Sequence, residues 1–292
     1  NGLSAGFRDA GEAISNLELI ASLPKPTGFF DAENPVGLPP EITPEDTDEE
    51  VERRFGQRAP FLSFSNTDMA FAGDLLAVGN YHGFNLYRLG EDAPVLISSV
   101  VCPGGQGDVS IVGDLLLVSV QDTRARVDCG RQGVSEDVSE ERFRGLRIFD
   151  ISNPVAPRQV GQVQTCRGSH THSVVSSDEN TIVVYNSGTS SIRDEEEMAG
   201  CVAGFPGDEE TALFSIDVIE IPVANPAASR IVDSPRVFAD DETGRIAGLR
   251  TGGDHGEGTQ STRRTDQCHD ITVFPSLNLA AGACSGNGIL LD

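Results

Sequence analysis

The sequence predicts an all-β fold, a β-propeller of four-stranded antiparallel blades, and three observations predict it. An apolar strand, a tight polar turn and a second apolar strand recur along the chain. A third strand follows each such hairpin, and in three of the four cases a fourth strand comes next. Each unit also opens on a polar residue at the start of its first strand: Asp68, Asp108, His172 and Asp270. Four antiparallel strands per unit, repeated with insertions, is the pattern of a propeller.

In chain order, residues 1–29 come first, and the run 16–26 (Asn16 to Pro26) reads like the fourth strands of later units although no hairpin precedes it. It is expected to supply a closing strand. Residues 30–60 are acidic and Pro-rich with few apolar positions, as in a solvated linker or loop. Residues 61–292 hold the blades. The hairpins span 68–80, 108–120, 172–186 and 270–283, each with period-2 apolar alternation. Their turns are Gly73-Asp74, Gly113-Asp114, Asp178-Glu179-Asn180 and Pro275-Ser276-Leu277-Asn278. Third strands are expected at 84–87, 146–150, 213–218 and 288–292, and fourth strands at 94–101, 157–164 and 229–238. Residues 189–210 and 239–266 read as insertions rich in Gly, Asp, Glu and Ser. The last unit has no fourth strand before Asp292, so a closed four-blade ring and a part of a larger propeller both stand. A β-sandwich of unrelated hairpins is the alternative fold, and the recurring four-strand order counts against it.

Forty-five acidic residues face 21 basic ones, for a formal charge of -24. Such a surface repels nucleic acid and anionic lipid and attracts cations, so neither nucleic acid nor a membrane is an expected partner. No stretch approaches the ~20 apolar residues that span a bilayer. The opening Asn1-Gly2-Leu3, without an initiator Met, is expected of a processed product. None of the six cysteines forms a Cys-x-x-Cys pair, which weakens zinc and thioredoxin-like readings and points to disulfides in an oxidising compartment. The chain is therefore expected to be secreted, periplasmic or at the cell surface. Cys102 and Cys166 stand six residues before Asp108 and His172, and each is followed by a further cysteine, Cys129 and Cys201. Repeat-equivalent positions favour Cys102–Cys129 and Cys166–Cys201; Cys268 and Cys284 flank a hairpin and form the remaining pair. Other pairings stay open.

In a propeller the first strand of each blade lines the central channel. The strand starts bring Asn66, Asp68, Gln106, Asp108, His170, His172, His269 and Asp270 towards one mouth, with Asp254, His255 and Glu257 in a nearby Gly-flanked loop and His82 after the second strand of the first blade. Imidazole and carboxylate converging from several blades could hold a divalent metal ion, Ca2+ or a transition metal, through Asp68, Asp108, His170, His172, His255, His269 and Asp270. His170 and His172 lie on one side of a strand. A structural role comes first, however: Asp and His at inner strands bond backbone amides of the next blade. Gly104-Gly105-Gln106-Gly107 precedes no helix, no Gly-x-Ser-x-Gly elbow occurs, and Asp194 to Glu197 reads as a solvated loop with Ca2+ binding as the alternative. No tryptophan and only 3 tyrosines argue against an aromatic sugar-binding platform.

The run Leu146-Arg147-Ile148-Phe149-Asp150-Ile151-Ser152-Asn153-Pro154, followed by Pro157, resembles the signature of the LVIVD-repeat family of secreted bacterial β-propellers. The runs 79–87, 101–108, 165–173, 253–260 and 268–273 are similar to one large subgroup of such proteins, and the likeness covers most of residues 60–292. Residues 87–94 keep only the outline of the repeat. The resemblance implies architecture and an extracellular setting, often with more than four blades, and names no reaction. Three functions follow as expectations: a binding or scaffold module with an unknown protein or surface partner; a metal-binding protein or metal-dependent enzyme; and a self-associating structural component. No catalytic residue is identified.

Overall fold

The computed structural model describes residues 2–6, 9–26, 28–29, 47, 65–204, 211–240, 242–246, 249, 251–254, 256–259, 261, 264–265 and 267–292. It is all-β, with four antiparallel sheets and two short 3-10 turns. The first sheet runs β1 (Asn66–Ala72), β2 (Leu75–Asn80), β3 (Gly83–Arg88) and β4 (Val95–Val101). The second runs β5 (Val109–Val112), β6 (Leu115–Val120), β7 (Gly145–Asp150) and β8 (Arg158–Gln164). The third runs β9 (Thr171–Ser177), β10 (Thr181–Ser187), β11 (Asp217–Pro222) and β12 (Arg230–Asp233), and the fourth has only β13 (Asp270–Phe274), β14 (Leu279–Cys284) and β15 (Asn287–Leu291). In every sheet the strands lie side by side in chain order.

Local chemistry explains the meander. Each Gly-Asp turn has positive φ at its glycine, +61° at Gly73 and +57° at Gly113, and not at the aspartate. That is the type II′ pattern, whose twist suits a two-residue hairpin. Middle strands are the more deeply buried ones, most of all in the second sheet, which has a sheet stacked on each face; all of β6 is buried. Outer strands β4, β8 and β12 alternate or are exposed.

Three cores fill the gaps between sheets. Ala77, Phe84, Leu86, Leu116, Val118 and Phe149 pack the first sheet on the second, with the Phe84 and Phe149 rings edge to face at 4.9 Å. Leu117, Leu146, Ile148, Val184, Ile219 and Ile221 pack the second on the third. The third gap differs: Phe214, Ile216, Val237 and Ile246, all from connections, fill it beside Ile271 and Ala280. The first strands contact one another in succession, β1 to β5 to β9 to β13. Their starts, and the β2–β3, β6–β7, β10–β11 and β14–β15 connections, share one edge of the assembly because the strands alternate in direction.

Several expectations need correction. The third strand of the third sheet is Asp217–Pro222, not 213–218. Leu213 to Ile216 has strand-like alternation, but Phe214 has φ 65°, which no strand accommodates, and these residues pack into the third core instead. The strand expected over 229–238 stops at Asp233, where Ser234 and Pro235 intervene. Among the described residues of 9–26 there is no strand. Ala21, Leu23, Pro24 and Pro26 instead line a cleft of about 710 Å³ with Met69, Phe71 and Tyr87 of the first sheet. Pro24 and Pro26 each lack the N–H that a ladder needs. The linker 30–60 lies outside the described residues except for Thr47.

Candidate functional site

The inner strand starts do come together, and their first use is mechanical. Asp68 Oδ2 accepts the backbone N–H of Val109 at 3.1 Å, and Asp108 Oδ2 accepts that of His172 at 2.8 Å. Each carboxylate therefore ties its own sheet to the next. Thr67 Oγ1 adds a bond to Gly107 O at 3.1 Å. At the third junction hydroxyls take over: Thr171 Oγ1 donates to His269 O at 2.9 Å and Ser187 Oγ to Cys268 O at 2.6 Å.

Asp108 also meets the imidazole of His172, Oδ2 to Nδ1 at 2.9 Å, and Ser119 Oγ lies 2.8 Å from the same Nδ1 and 2.7 Å from Ser169 Oγ. Burial alone would raise the Asp108 pKa, but the ring and backbone bonds of His172 and a bond from Asp68 outweigh it, and the pKa falls below the usual carboxylate value. Asp68 moves the other way, raised by burial and by the neighbouring Asp108 charge against the opposing Val109 N–H.

An Asp, a His and a Ser in contact invite comparison with a catalytic triad. The geometry excludes it. A triad spends Nδ1 on the carboxylate and Nε2 on the hydroxyl. Here both partners use Nδ1, while His172 Nε2 is buried with no partner, and Ser119 is only 1% exposed. No substrate carbonyl could reach that hydroxyl.

His170 forms a second group. Its Nδ1 lies 2.5 Å from Gln121 Oε1, which also accepts Thr189 Oγ1 at 2.9 Å. Its ring stands edge-on to His269 with centroids 4.1 Å apart, and His269 Nδ1 is 2.5 Å from Asp270 Oδ2. Burial, then the His269 charge, lowers the His170 pKa. Among the described residues, no three His, Cys, Asp or Glu side chains are placed to hold a metal ion. Of the residues read from the sequence, Asp68, Asp108 and His172 are joined, and His170, His269 and Asp270 are joined. His255 lies outside the described residues, and Asp254 and Glu257 are exposed. His82 stands apart, fully buried against Phe29 with neither ring nitrogen paired. Burial, then the charges of Lys25 and Arg131, push its pKa down to about 4.

Sequence reasoning missed Ser119, Ser169 and Gln121. Ser119 left a signal, the lone polar residue inside the apolar strand 115–120, whereas Gln121 and Ser169 sit in connections without periodicity. Three disulfides, Cys102–Cys129, Cys166–Cys201 and Cys268–Cys284, staple the connections on this same edge. No helix among the described residues is long and apolar enough to cross a membrane.

No protein-family model and no curated protein matches the chain. Among solved structures it is similar to the computationally designed Ika4 protein, at 8% identity and TM-score 0.37, over 78% of this chain and 90% of that one. It is also similar to a protein from Lactobacillus plantarum, at 12% identity and TM-score 0.30, over 78% of this chain and 70% of that one. Sqt1 of Saccharomyces cerevisiae shares 12% identity at TM-score 0.31, over 80% of this chain and 73% of its own. Likenesses this distant carry no argument about fold or function, and the architecture rests on the four antiparallel sheets themselves.

Proposed function

We propose that the chain is a sector of a secreted or cell-surface β-propeller of the LVIVD-repeat kind, acting as a binding or scaffold module without a reaction of its own. One observation carries this reading: the inner carboxylates that a reaction would need are spent on backbone amides of the neighbouring sheet, while the long connections and all three disulfides gather on one edge. A rigid frame that presents stapled loops is how scaffolds expose recognition surfaces. An oxidising compartment supports it, because the bonds must form and persist. Photo-crosslinkers at Ser191 and Glu195 on the loop edge, compared with Asp74 and Asp114 on the turn edge, test this in the producing cell. Specific crosslinked products from the loop edge alone are expected. Equal labelling from both edges, or metal-dependent turnover by the purified protein, overturns it.

A metal-binding reading has one specific observation behind it: His170 Nε2 and His172 Nε2 are buried without partners, and the His170 and His269 rings touch. Metal analysis after purification without chelators decides, with His172→Ala as control. Stoichiometric metal lost in that variant supports it; its absence in the native protein removes it. Exposed Met69 and Phe71 on β1 and Leu290 on β15 favour self-association in the same way, and light scattering that shows only monomer removes that reading.

A further inference from the structure

The connections 121–144 and 188–203 lean on each other, although they belong to different sheets. Arg144 Nη1 donates to Ser191 O at 2.7 Å, Arg193 Nη2 to Arg142 O at 3.4 Å, and Ser190 Oγ to Gln121 O. Between them opens a cavity of about 690 Å³ lined by Arg124, Val134, Arg142, Arg144, Ile192 and Arg193. A chain with net charge -24 and 21 basic residues has thus placed four arginines around one hollow.

Three of these guanidinium groups are buried, Arg142 and Arg144 at 5% exposure each and Arg193 at 4%. Arg142 and Arg193 share one buried carboxylate. Glu197 accepts Arg142 through Oε2 and Arg193 through Oε1, the latter at 2.5 Å, and its side chain is 1% exposed. Arg142 is further satisfied by Thr123 O at 2.7 Å, Asp137 O at 2.8 Å and Glu136 O, and Arg193 by Gln164 Oε1. Arg144 is different. A guanidinium has five N–H donors, yet among the described residues its single hydrogen-bond partner is Ser191 O, and its Nε is buried with none. Burial, then the Arg142 and Arg193 charges, lower its pKa to about 10, so it remains a cation at neutral pH. Burial raises the Asp122 pKa against the Arg124 N–H, which it accepts at 2.8 Å, and against the Arg124 and Arg144 charges. The Glu197 and Asp122 charges favour the Arg144 cation from a distance, but no carboxylate among the described residues bonds to it; a buried cation so placed is costly, and a bound anion would relieve that cost through bidentate, charge-assisted bonds.

We propose that this cavity binds a ligand through one oxyanion group, a phosphate, sulfate or carboxylate, seated on Arg144. The cavity is larger than such a group alone and has apolar wall at Val134 and Ile192, so the remainder of the ligand rests there. Exposed Glu136, Asp137 and Asp194 on the rim repel a second negative charge, which restricts the ligand to a single anionic end. The site is separate from the inner-strand histidines and does not depend on the scaffold reading.

Thermal unfolding of the whole chain at constant ionic strength tests it, with chloride, acetate, sulfate or phosphate as the anion. At least one oxyanion at millimolar concentration should raise Tm over chloride by about 2–4 °C. Whichever of the three acts identifies the group. Arg144→Gln should abolish the increment, Arg144→Lys should keep part of it, and Arg158→Gln, an exposed arginine on β8, should keep all of it. Should Arg144→Gln fail to fold, Asp194→Asn on the rim serves instead, and it should strengthen oxyanion binding several-fold. No oxyanion effect beyond chloride, equal losses in Arg144→Gln and Arg158→Gln, or unchanged binding in Asp194→Asn overturns the proposal.

Discussion

The first two sheet junctions and the third are built from different materials. At the first and second, a carboxylate of one inner strand accepts a backbone N–H of the next, Asp68 from Val109 and Asp108 from His172, over cores made of strand side chains. At the third, the equivalent inner position is His172 itself, which is engaged backwards with Asp108. Forward coupling there is left to hydroxyls, Thr171 and Ser187 donating to carbonyls as Thr67 does beside Asp68 at the first junction, and a core assembled largely from connections fills the gap. The burial patterns agree: every residue of β6 is buried, whereas β10 alternates. With His in place of Asp at this repeat position, the third junction lacks the forward carboxylate bond, and Asp270 pairs with His269. A repeat can thus keep its strands while changing what joins them.

Four measurements would break or sharpen that contrast. The largest effect is expected in the strand-built core. Leu117→Ala, at a fully buried site, should cost about 2–5 kcal/mol in urea unfolding. Leu213→Ala, at a half-buried site in the third core, should cost clearly less; equal losses would mean that the two cores are equivalent. Next, replacing Cys268 and Cys284 together by Ser should cost about 2–4 kcal/mol, and hydrogen exchange should show β13–β15 losing protection before β1–β8. Uniform loss across all sheets would show that the third junction is no weaker.

Third, Asp108→Asn should cost about 1–3 kcal/mol, because it removes the charge facing His172 while an amide oxygen can still accept the backbone N–H. Asp68→Asn should cost less, since burial already shifts Asp68 towards its neutral form. The smallest effect is a slope. His82 titrates near 4 when folded against 6.5 when unfolded, so above pH 6.5 it is neutral in both states and adds nothing. Below that the unfolded chain binds a proton that the folded one refuses, and stability falls as the pH drops from 6.5 to 4. His82→Leu should flatten that part of the stability profile; an unchanged profile would place the acid sensitivity elsewhere.

The hairpins were legible because period-2 alternation and Gly-Asp turns are local signals, and they held for β1–β2 and β5–β6 within about two residues. Repeat-equivalent positions pointed to Cys102–Cys129 and Cys166–Cys201, and those bonds form. β11 was misplaced because Leu213 to Ile216 carries the same alternation as a strand, and only the packing of Phe214 at positive φ tells them apart. At the inner strands, residue type announced that something would be bound there, and it left open whether the partner was a metal or an amide. Nothing marked Arg142 and Arg193, 51 residues apart in aperiodic connections, as neighbours of Arg144.

Local pattern along the chain sufficed for most of the strands, their antiparallel order and the His and Asp residues at strand starts, because each depends on neighbours within a few residues. The stacking of sheets brings Asp108 to the His172 amide, makes Ser119 share Nδ1 with it, and leaves Arg144 with no carboxylate bonded to it among the described residues. Those outcomes hinge on which connection of one sheet lands against which strand of the next. That contact is set by how whole sheets stack, and no local pattern along the chain records it.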